Sequence, residues 1–516
     1  MTTKGKNKKS AEQIPAQTIP QRSAGVLLHI ASLPGSYGIG TLGESARRFA
    51  DFLHAAGVRY WQVLPLVQTG FGDSPYQSVF GASGNPYLLD VERLVADGLL
   101  RPSEVRALRR VGDIDYGFLY KVKYAVLRRA FSRFDVHDPA FAAFVNGGEF
   151  HDYALFMALK EAHGGAGFDC WAQPYKLREP AALEKFLQEN RLEYLFWLFL
   201  QFEFRRQWED LRAYVNGLGI RFIGDIPLYV AADSADVWAN AHLFKLNKNR
   251  TARRVAGVPP DYFSATGQLW GNPVYDWRAH EAEGYAWWIR RIRAAFSLYD
   301  VVRIDHFRGL DRYYEVDARA KTAERGCWRR GPGMKLFTAA EEALGPLPFI
   351  AEDLGQTDAG VQRLLRRSGF PGMKILQFAF DGNPNNPYLP HNIPVNSVCY
   401  TGTHDNDTTL GFMKSLPGDE FVRVKARLRA AMRQEGVEGR ISGRVSAAKV
   451  LCSLCWASAA NLAVVPAQDL LLLGGEARMN TPAVGEGNWR FRLRRDLPSS
   501  LAQRLRAELK SAGRLK

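Results

Sequence analysis

The sequence predicts a (β/α)8 TIM barrel whose insertions are mostly helical and lie in the loops at the C-terminal face of the strands. Eight short apolar segments typical of strands alternate with segments of helical periodicity. Most of these strands are apolar along their length, as a parallel sheet covered on both faces requires. No Gly-x-Gly-x-x-Gly motif follows a strand and no Walker A motif is present, which argues against a doubly wound nucleotide-binding fold.

The predicted elements follow from apolar runs and from helical periodicity, taken in chain order. The strands are predicted at Gly25–Ile30, Tyr60–Leu66, Arg221–Pro227, from Val301 onward, Pro348–Leu354, Met373–Phe378, Ser397–Thr401 and Leu462–Pro466. Helices are predicted over Leu42–Ala56, Leu192–Gly217, Glu281–Leu298, Ala359–Arg367, Ala447–Ala460 and Leu501–Lys510. Gly57 is expected to end the first helix.

The chain is predicted to be one barrel with a tail and three insertions. Residues 1–21 are polar and rich in lysine, which favours a disordered basic tail. Residues 22–516 are predicted to form the catalytic barrel. A mostly helical insertion subdomain is expected at about 85–190, and loop insertions at about 230–277 and 310–340.

The net charge of +15 raises the question of a nucleic-acid partner. The basic residues are spread over separate segments, and no RNP, zinc-finger or helix-turn-helix pattern accompanies them. We therefore expect a solvated basic surface and no nucleic-acid partner. The N-terminus has no signal-peptide apolar region and no apolar run is long enough to span a membrane, so a cytoplasmic protein without membrane contact is expected.

The five cysteines include one C-x-x-C pair, Cys452 and Cys455. The pair lies in the predicted helix Ala447–Ala460, and neither a second such pair nor a histidine pair completes a zinc site. Packing in the core is the better interpretation. Neither a metal nor a cofactor is expected.

Polar side chains stand where the predicted strands end. They are His29, Asp225, Arg303, Asp305, His306, Glu352, Asp353, His404 and Asp405. In a barrel these positions meet at one rim, where active sites lie. So many charges would be costly to bury unpaired, so we expect a shared polar pocket. Arg303 and Asp305 lie two residues apart on a strand, so their side chains share a face. This pattern alone leaves two interpretations: a catalytic carboxylate stabilised in its ionised form, or a structural ion pair.

Two chemistries use such a set of residues. A metal hydrolase would need histidine ligands, and no histidine pair occurs at ligand spacing. Retaining glycoside chemistry needs two carboxyls about 5 Å apart in opposite protonation states. Asp305 beside Arg303 suits the ionised group, and Glu352, after an apolar run, suits the protonated acid because burial raises a carboxyl pKa. Asp405 with His404 could hold sugar hydroxyls and stabilise positive charge.

A series of motifs in order resembles the 4-α-glucanotransferases (amylomaltases or disproportionating enzymes) of glycoside hydrolase family 77. The matching stretches include Ser32–Gly35, Gly72–Gln77, Gly224–Pro227, Ala235–Asn240, Pro259–Pro273, Arg303–Gly309, Ala351–Gly355, Gly402–Asn406 and Glu476–Asn480. The resemblance covers about Arg22 to Arg492. It implies transfer of α-1,4-glucan segments between maltooligosaccharides, with release of glucose, through a covalent glucosyl-aspartate.

The resemblance also implies roles for individual residues. Asp305 would be the nucleophile, Glu352 the acid/base and Asp405 the transition-state stabiliser. The donor sugar would be lined by Tyr76, Asp225, Arg303 and His404, and Gln268 and Asn480 would lie near the acceptor. The loop from Tyr262 to Trp270 would fold over the cleft; its rings would exclude water and hold the acceptor, or would only pack under the loop.

Two other functions stay open at this point. A retaining α-glucan hydrolase of the same fold would carry the same carboxylates but an open acceptor side. A glycan-binding barrel without activity is the alternative from a different class. A monomer or weak dimer is expected.

Overall fold

The eight predicted strands close into a barrel. The computed structural model describes residues 19, 22–70, 72–260, 264–355, 358–482 and 484–515. The strands in these ranges are β1 (Ser23–Leu27), β2 (Tyr60–Gln62), β3 (Arg221–Ile226), β4 (Arg254–Val258), β5 (Gln268–Pro273), β6 (Val301–Ile304), β7 (Arg312–Asp317), β8 (Gly326–Arg330), β9 (Phe349–Ala351), β10 (Gly372–Ile375), β11 (Ser397–Tyr400) and β12 (Leu462–Pro466). The barrel order is β1-β12-β11-β10-β9-β6-β3-β2, with parallel neighbours throughout. The predicted (β/α)8 barrel is confirmed.

Several barrel strands end earlier than the apolar runs predict. β2 ends at Gln62, four residues before the predicted end, and β9 ends at Ala351, directly before Glu352. The residues that follow leave the hydrogen-bonded ladder and form the loops at the C-terminal rim. The strands themselves are buried, with Val302, Ile350 and Val464 fully inaccessible, as strands covered on both faces must be.

Helices surround the barrel in the predicted order. The helices packed around it include Glu44–Ala56, Arg191–Gly217, Trp277–Ala282, Ala286–Leu298, Met334–Leu344, Ala359–Ser368, Thr409–Ser415, Gly418–Gln434, Arg444–Ala457 and Ser499–Ser511. Gly57 ends the first of these with φ of 76°, a conformation that glycine adopts without strain. The predicted helix Glu281–Leu298 is divided, because Gly284 and Tyr285 both take positive φ.

The chain between β2 and β3 is helical, as predicted. It contains α-helices Val91–Ala96, Tyr116–Phe118, Tyr124–Phe131, Pro139–Asn146, His151–Ala162, Gln173–Lys176 and Pro180–Glu189. Rings join these helices to the long helix Arg191–Gly217: Phe134 and Phe141 lie 4.8 Å and 5.5 Å (ring centroids) from Phe199 and Phe202. This packing joins the insertion to the long helix that leads into β3.

The segments at about 230–277 and 310–340, where loop insertions are predicted, contain strands that build a second sheet. It is antiparallel, with strand order β5-β4-β7-β8. Its strands carry many polar or exposed residues and cover a small core of Val255, Tyr314, Val316 and Ala323, so they lack the apolar runs that reveal the barrel strands. The sheet supports Gln268 and Trp270 on β5.

The predicted basic tail lies outside the described residues except at Ile19. This residue is buried, and its carbonyl accepts a 2.8 Å hydrogen bond from the side-chain amide of Asn461. Over the described ranges, every helix is too short or too polar to cross a membrane.

Candidate active site

Two carboxylates leave neighbouring barrel strands side by side. Ile304 of β6 pairs with Ile226 of β3 on one side and Ala351 of β9 on the other. Asp305 and Glu352 directly follow these paired residues, and the backbone N–H of Glu352 donates to the Ile304 carbonyl at 3.0 Å. Neighbouring strands lie about 4.8 Å apart, so the two carboxylates emerge at the same rim within reach of one sugar ring.

The guanidinium of Arg303 joins two carboxylates. Its Nη1 lies 2.5 Å from Asp225 Oδ2 and its Nη2 lies 2.9 Å from Asp305 Oδ1. Tyr76 donates its hydroxyl to the same Asp225 oxygen at 2.7 Å. Asp225 and Arg303 are buried, whereas the Asp305 side chain is 29% exposed. The ion pair is therefore only partly enclosed, and it presents Asp305 to the cleft.

Backbone groups fix the carboxylate of Glu352. The N–H of His306 donates to Oε2 at 2.8 Å and the N–H of Leu354 donates to Oε1 at 2.9 Å. Burial raises the pKa of Glu352 to about 7, with the Arg303 charge opposing the shift and the Asp305 charge adding to it. The apolar run that precedes Glu352 in the sequence predicts this upward shift of its pKa. A carboxyl with this pKa exchanges a proton near neutral pH.

Burial also sets the protonation of two further groups. It raises the pKa of Asp225 to about 7, against the influence of Arg303. It lowers the pKa of His404, so this imidazole is neutral at pH 7. Its Nε2 lies 3.4 Å from Asp405 Oδ1.

Asp405 lies in the loop after β11 and is held by the segment that follows β12. The side-chain amide of Asn480 donates to Asp405 Oδ1 at 2.6 Å. Arg478 donates to the Asp405 carbonyl, also at 2.6 Å. The Asp405 side chain remains 45% exposed. Its carboxylate is thus oriented from one side and open to the cleft on the other.

Three rings form one wall of the site. Tyr76 stacks on His404 with ring centroids 5.0 Å apart, and the Trp489 ring lies 5.8 Å from each. Trp489 takes φ of 65°, which is uncommon for a bulky residue and indicates a conformation imposed by its surroundings. Sequence reasoning missed Trp489, since it lies more than 20 residues beyond the end of the last predicted strand, Leu462–Pro466.

The opposite wall is built by β5. The indole of Trp270 meets the edge of His306 at 4.8 Å between ring centroids, and its N–H donates to Gln268 Oε1 at 3.2 Å. The third predicted residue of this wall, Tyr262, lies outside the described residues.

The two walls and the carboxylates enclose one cleft of about 1130 Å³, larger than most sites for single small molecules. The predicted site residues that line it are Tyr76, Gln268, Trp270, Arg303, Asp305, Glu352, His404, Asp405 and Asn480. Asp225 lies beneath its floor, in contact with Arg303. Residues of the cleft that were not predicted as site residues include Asn272, His306, Gln377 and Trp489. Three of these had a sequence signal: His306 and Gln377 lie at the ends of predicted strands, and Asn272 lies in the motif Pro259–Pro273.

Within the described ranges, no group of three or more His, Cys, Asp or Glu side chains is arranged to hold a metal ion. The fold and site define a (β/α)8-barrel protein with carboxylates from several strands gathered in a cleft at the C-terminal rim, where barrel enzymes carry their active sites.

Comparison with known proteins narrows this class to one family. The profile of the family described as 4-alpha-glucanotransferase, glycoside hydrolase family 77, matches residues 28–498. The chain is 48% identical to the 4-alpha-glucanotransferase of Thermus thermophilus, over 96% of this chain and 99% of that protein. It is 45% identical to the 4-alpha-glucanotransferase of Clostridium butyricum, over 90% and 95% of the two chains. A solved structure of the amylomaltase from Streptococcus agalactiae in complex with acarbose superposes with a TM-score of 0.91 at 36% identity, over 96% of this chain and all of that one. The chain belongs to glycoside hydrolase family 77, the 4-alpha-glucanotransferases.

Proposed function

We propose that this 4-alpha-glucanotransferase moves α-1,4-glucan segments between maltooligosaccharides through a covalent glucosyl intermediate on Asp305. The observation that carries the proposal is the pairing of two neighbouring carboxylates in opposite environments. Asp305 is ion-paired and open to the cleft, whereas Glu352 is buried with a raised pKa. This division of roles is what retaining glycoside chemistry requires.

In the first step, Asp305 attacks the anomeric carbon of the donor. Arg303 holds Oδ1, which leaves Oδ2 as the attacking oxygen. The new C1–Oδ2 bond forms as the bond between C1 and the glycosidic oxygen breaks. Glu352 gives its proton to that leaving oxygen, and the shortened glucan, or glucose, departs. Asp405 stabilises the positive charge that develops on the sugar ring.

In the second step, the acceptor's 4-hydroxyl attacks the same carbon. The carboxylate of Glu352 takes the hydroxyl proton as the C1–Oδ2 ester breaks, which restores both side chains and retains the α configuration. Water competes with the acceptor for this step. The Trp270 indole lies against His306 and donates to the Gln268 amide oxygen at the cleft wall, where Trp270 and Gln268 would hold the acceptor in attacking geometry and exclude water.

Incubation with pure maltotriose tests the proposal. We expect the wild-type protein to give glucose together with oligosaccharides longer and shorter than the trimer, and Asp305→Asn to give none of them. Glucose and maltose without longer products would identify a hydrolase instead. An active Asp305→Asn variant would remove Asp305 from the nucleophile's role.

We also propose a monomer or weak dimer that acts in the cytoplasm on soluble maltooligosaccharides, with no nucleic-acid or membrane partner. The division into a tail, a barrel and insertions at about 85–190, 230–277 and 310–340 belongs to the same proposal. Light scattering at micromolar concentration tests the oligomeric state, and cell fractionation tests the location. A stable higher oligomer or a membrane-bound pool would contradict these expectations.

A further inference from the structure

The guanidinium of Arg303 has a third side-chain contact besides its two carboxylates. Its Nε donates a hydrogen bond to the thioether sulfur of Met373, with 3.4 Å between nitrogen and sulfur. Met373 lies on β10 and is fully buried. We infer that Met373 is a positioning residue of the transfer reaction, whose sulfur sets the rotation of the Arg303 guanidinium and so holds Asp305 for attack. The inference rests on the proposed function, in which Asp305 is the nucleophile.

The geometry of a guanidinium makes this contact consequential. The group is a planar fork, so its donor directions are fixed relative to one another. Nη1 points at Asp225, Nη2 at Asp305 and Nε at Met373. Anchoring Nε therefore determines where the other two nitrogens lie. A thioether is a weak, uncharged acceptor, so it orients the fork without competing for the charge that the carboxylates share.

Met373 is itself held from the acid/base side of the site. Its backbone N–H donates to Asp353 Oδ1 at 2.7 Å, and Asp353 directly follows Glu352. The approach is close: a Cβ on the adjoining Gly372 would lie 2.7–2.9 Å from the Asp353 carboxylate, so only glycine leaves room for it. A chain of contacts thus runs from the Glu352 loop through Met373 to the guanidinium that holds Asp305.

The substitution Met373→Leu separates the orienting role of the sulfur from the packing of the side chain. Leucine and methionine differ little in volume, so buried exchanges between them are well tolerated, but leucine offers the Nε–H no acceptor. Glutamine has a similar length and restores an acceptor oxygen. Met432 is buried in helix Gly418–Gln434 and is absent from the cleft lining, so Met432→Leu is the matched control.

The experiment measures kcat and KM for maltotriose transfer, the thermal unfolding midpoint, and the pH profile of kcat/KM. For Met373→Leu we expect kcat to fall about tenfold, because the guanidinium is no longer held in the rotation that presents Asp305 for attack, with KM unchanged within about twofold. Met373→Gln should recover part of the loss, and Met432→Leu should match wild type in kcat.

The pH profile distinguishes orientation from a general packing defect. The titratable groups that face the Arg303 guanidinium are Asp225, Asp305, Tyr76, Glu352, Tyr400 and His404. The Arg303 charge lowers the pKa of Glu352, so a displaced guanidinium lets that pKa rise. The alkaline limb of the Met373→Leu profile should therefore move to higher pH.

Two results would overturn the inference. One is a Met373→Leu enzyme with wild-type kcat and an unshifted profile. The other is an equal loss of kcat in Met373→Leu and Met432→Leu without a shift in either profile. Asp305→Asn is measured beside the methionine variants, so that failure of this inference can be told from failure of the proposed function. If Asp305→Asn is inactive while Met373→Leu behaves as wild type, only the role of Met373 is excluded.

Discussion

Replacing Arg303 with lysine keeps the positive charge of the site but removes the planar fork that joins two carboxylates. The guanidinium lies 2.5 Å from Asp225 and 2.9 Å from Asp305, and its side chain is 4% exposed. A lysine ammonium is a compact charge on a flexible stem. It can pair closely with one of the two carboxylates, which leaves the other without its cation.

The size of the effect follows from the burial of the pair. Breaking a buried ion pair by removing one partner costs about 3–5 kcal/mol. Because Tyr76 still donates to Asp225 and the Asp305 side chain is 29% exposed, we take the lower end for either carboxylate, about 3 kcal/mol. At about 1.36 kcal/mol per factor of ten, this is a loss on the order of 100-fold in kcat/KM if Asp305 is the carboxylate left unpaired. If Asp225 is left instead, its pKa, about 7 beside Arg303, rises further, and up to a comparable free energy is lost from stability at pH 8, because the buried carboxyl must either bind a proton or stay charged without its cation.

Steady-state kinetics of maltotriose transfer and the thermal unfolding midpoint at pH 8 measure both effects. Adding Asp225→Asn to Arg303→Lys removes the charge of Asp225, so it should restore the unfolding midpoint where Asp225 was the carboxylate left unpaired. Arg423→Lys is the matched control, because the Arg423–Asp419 pair is exposed (57% and 81%) and such pairs contribute about 0–1 kcal/mol. An Arg303→Lys enzyme with wild-type kcat/KM and unfolding midpoint would refute the electrostatic reasoning.

Three further predictions concern the carboxyls of Glu352 and Asp225. Because Glu352 must be protonated to act as the acid and burial raises its pKa to about 7, kcat/KM should fall above about pH 7; a flat profile up to pH 9 would contradict this. The ordinary pKa of this carboxyl is 4.5, so the stability that its raised pKa contributes is present below pH 4.5 and is lost as pH rises through about 7. Glu352→Gln should therefore raise the unfolding midpoint more at pH 8 than at pH 5, and an equal change at both pH values would disagree. Tyr76→Phe removes the hydroxyl that donates to Asp225 at 2.7 Å and should lower kcat/KM about tenfold, whereas unchanged kinetics would exclude a role for this hydrogen bond.

The barrel was predictable because strands buried on both faces are continuous apolar runs in the sequence. Strand β12 agrees with the predicted Leu462–Pro466, since all five of its residues are buried. The antiparallel sheet was not predictable in the same way. Strand β5 includes Gly271, Asn272 and Pro273, and four of the five residues of β8 are exposed, so neither carries an apolar run.

The residues of the candidate site differ in the same way in how far the sequence predicts them. Carboxylates that directly follow buried strands, such as Asp305 and Glu352, could be placed at the rim from the strand pattern alone. The contribution of His306 depends on its backbone, whose φ of 53° directs the N–H at Glu352. Trp489 reaches Tyr76 across more than 400 residues of chain. Backbone conformation and contacts of this range arise only from the folded packing.

Trapping the glycosyl-enzyme tests the proposed chemistry most directly. Glu352→Gln should still form the ester from a maltotriosyl fluoride, because fluoride leaves without a proton, but the variant lacks the base that activates an acceptor. Intact-mass measurement followed by proteolysis should then locate one maltotriosyl group on the peptide that contains Asp305. An adduct on another residue, or rapid release of the fluoride with no adduct at any time, would contradict a covalent intermediate on Asp305.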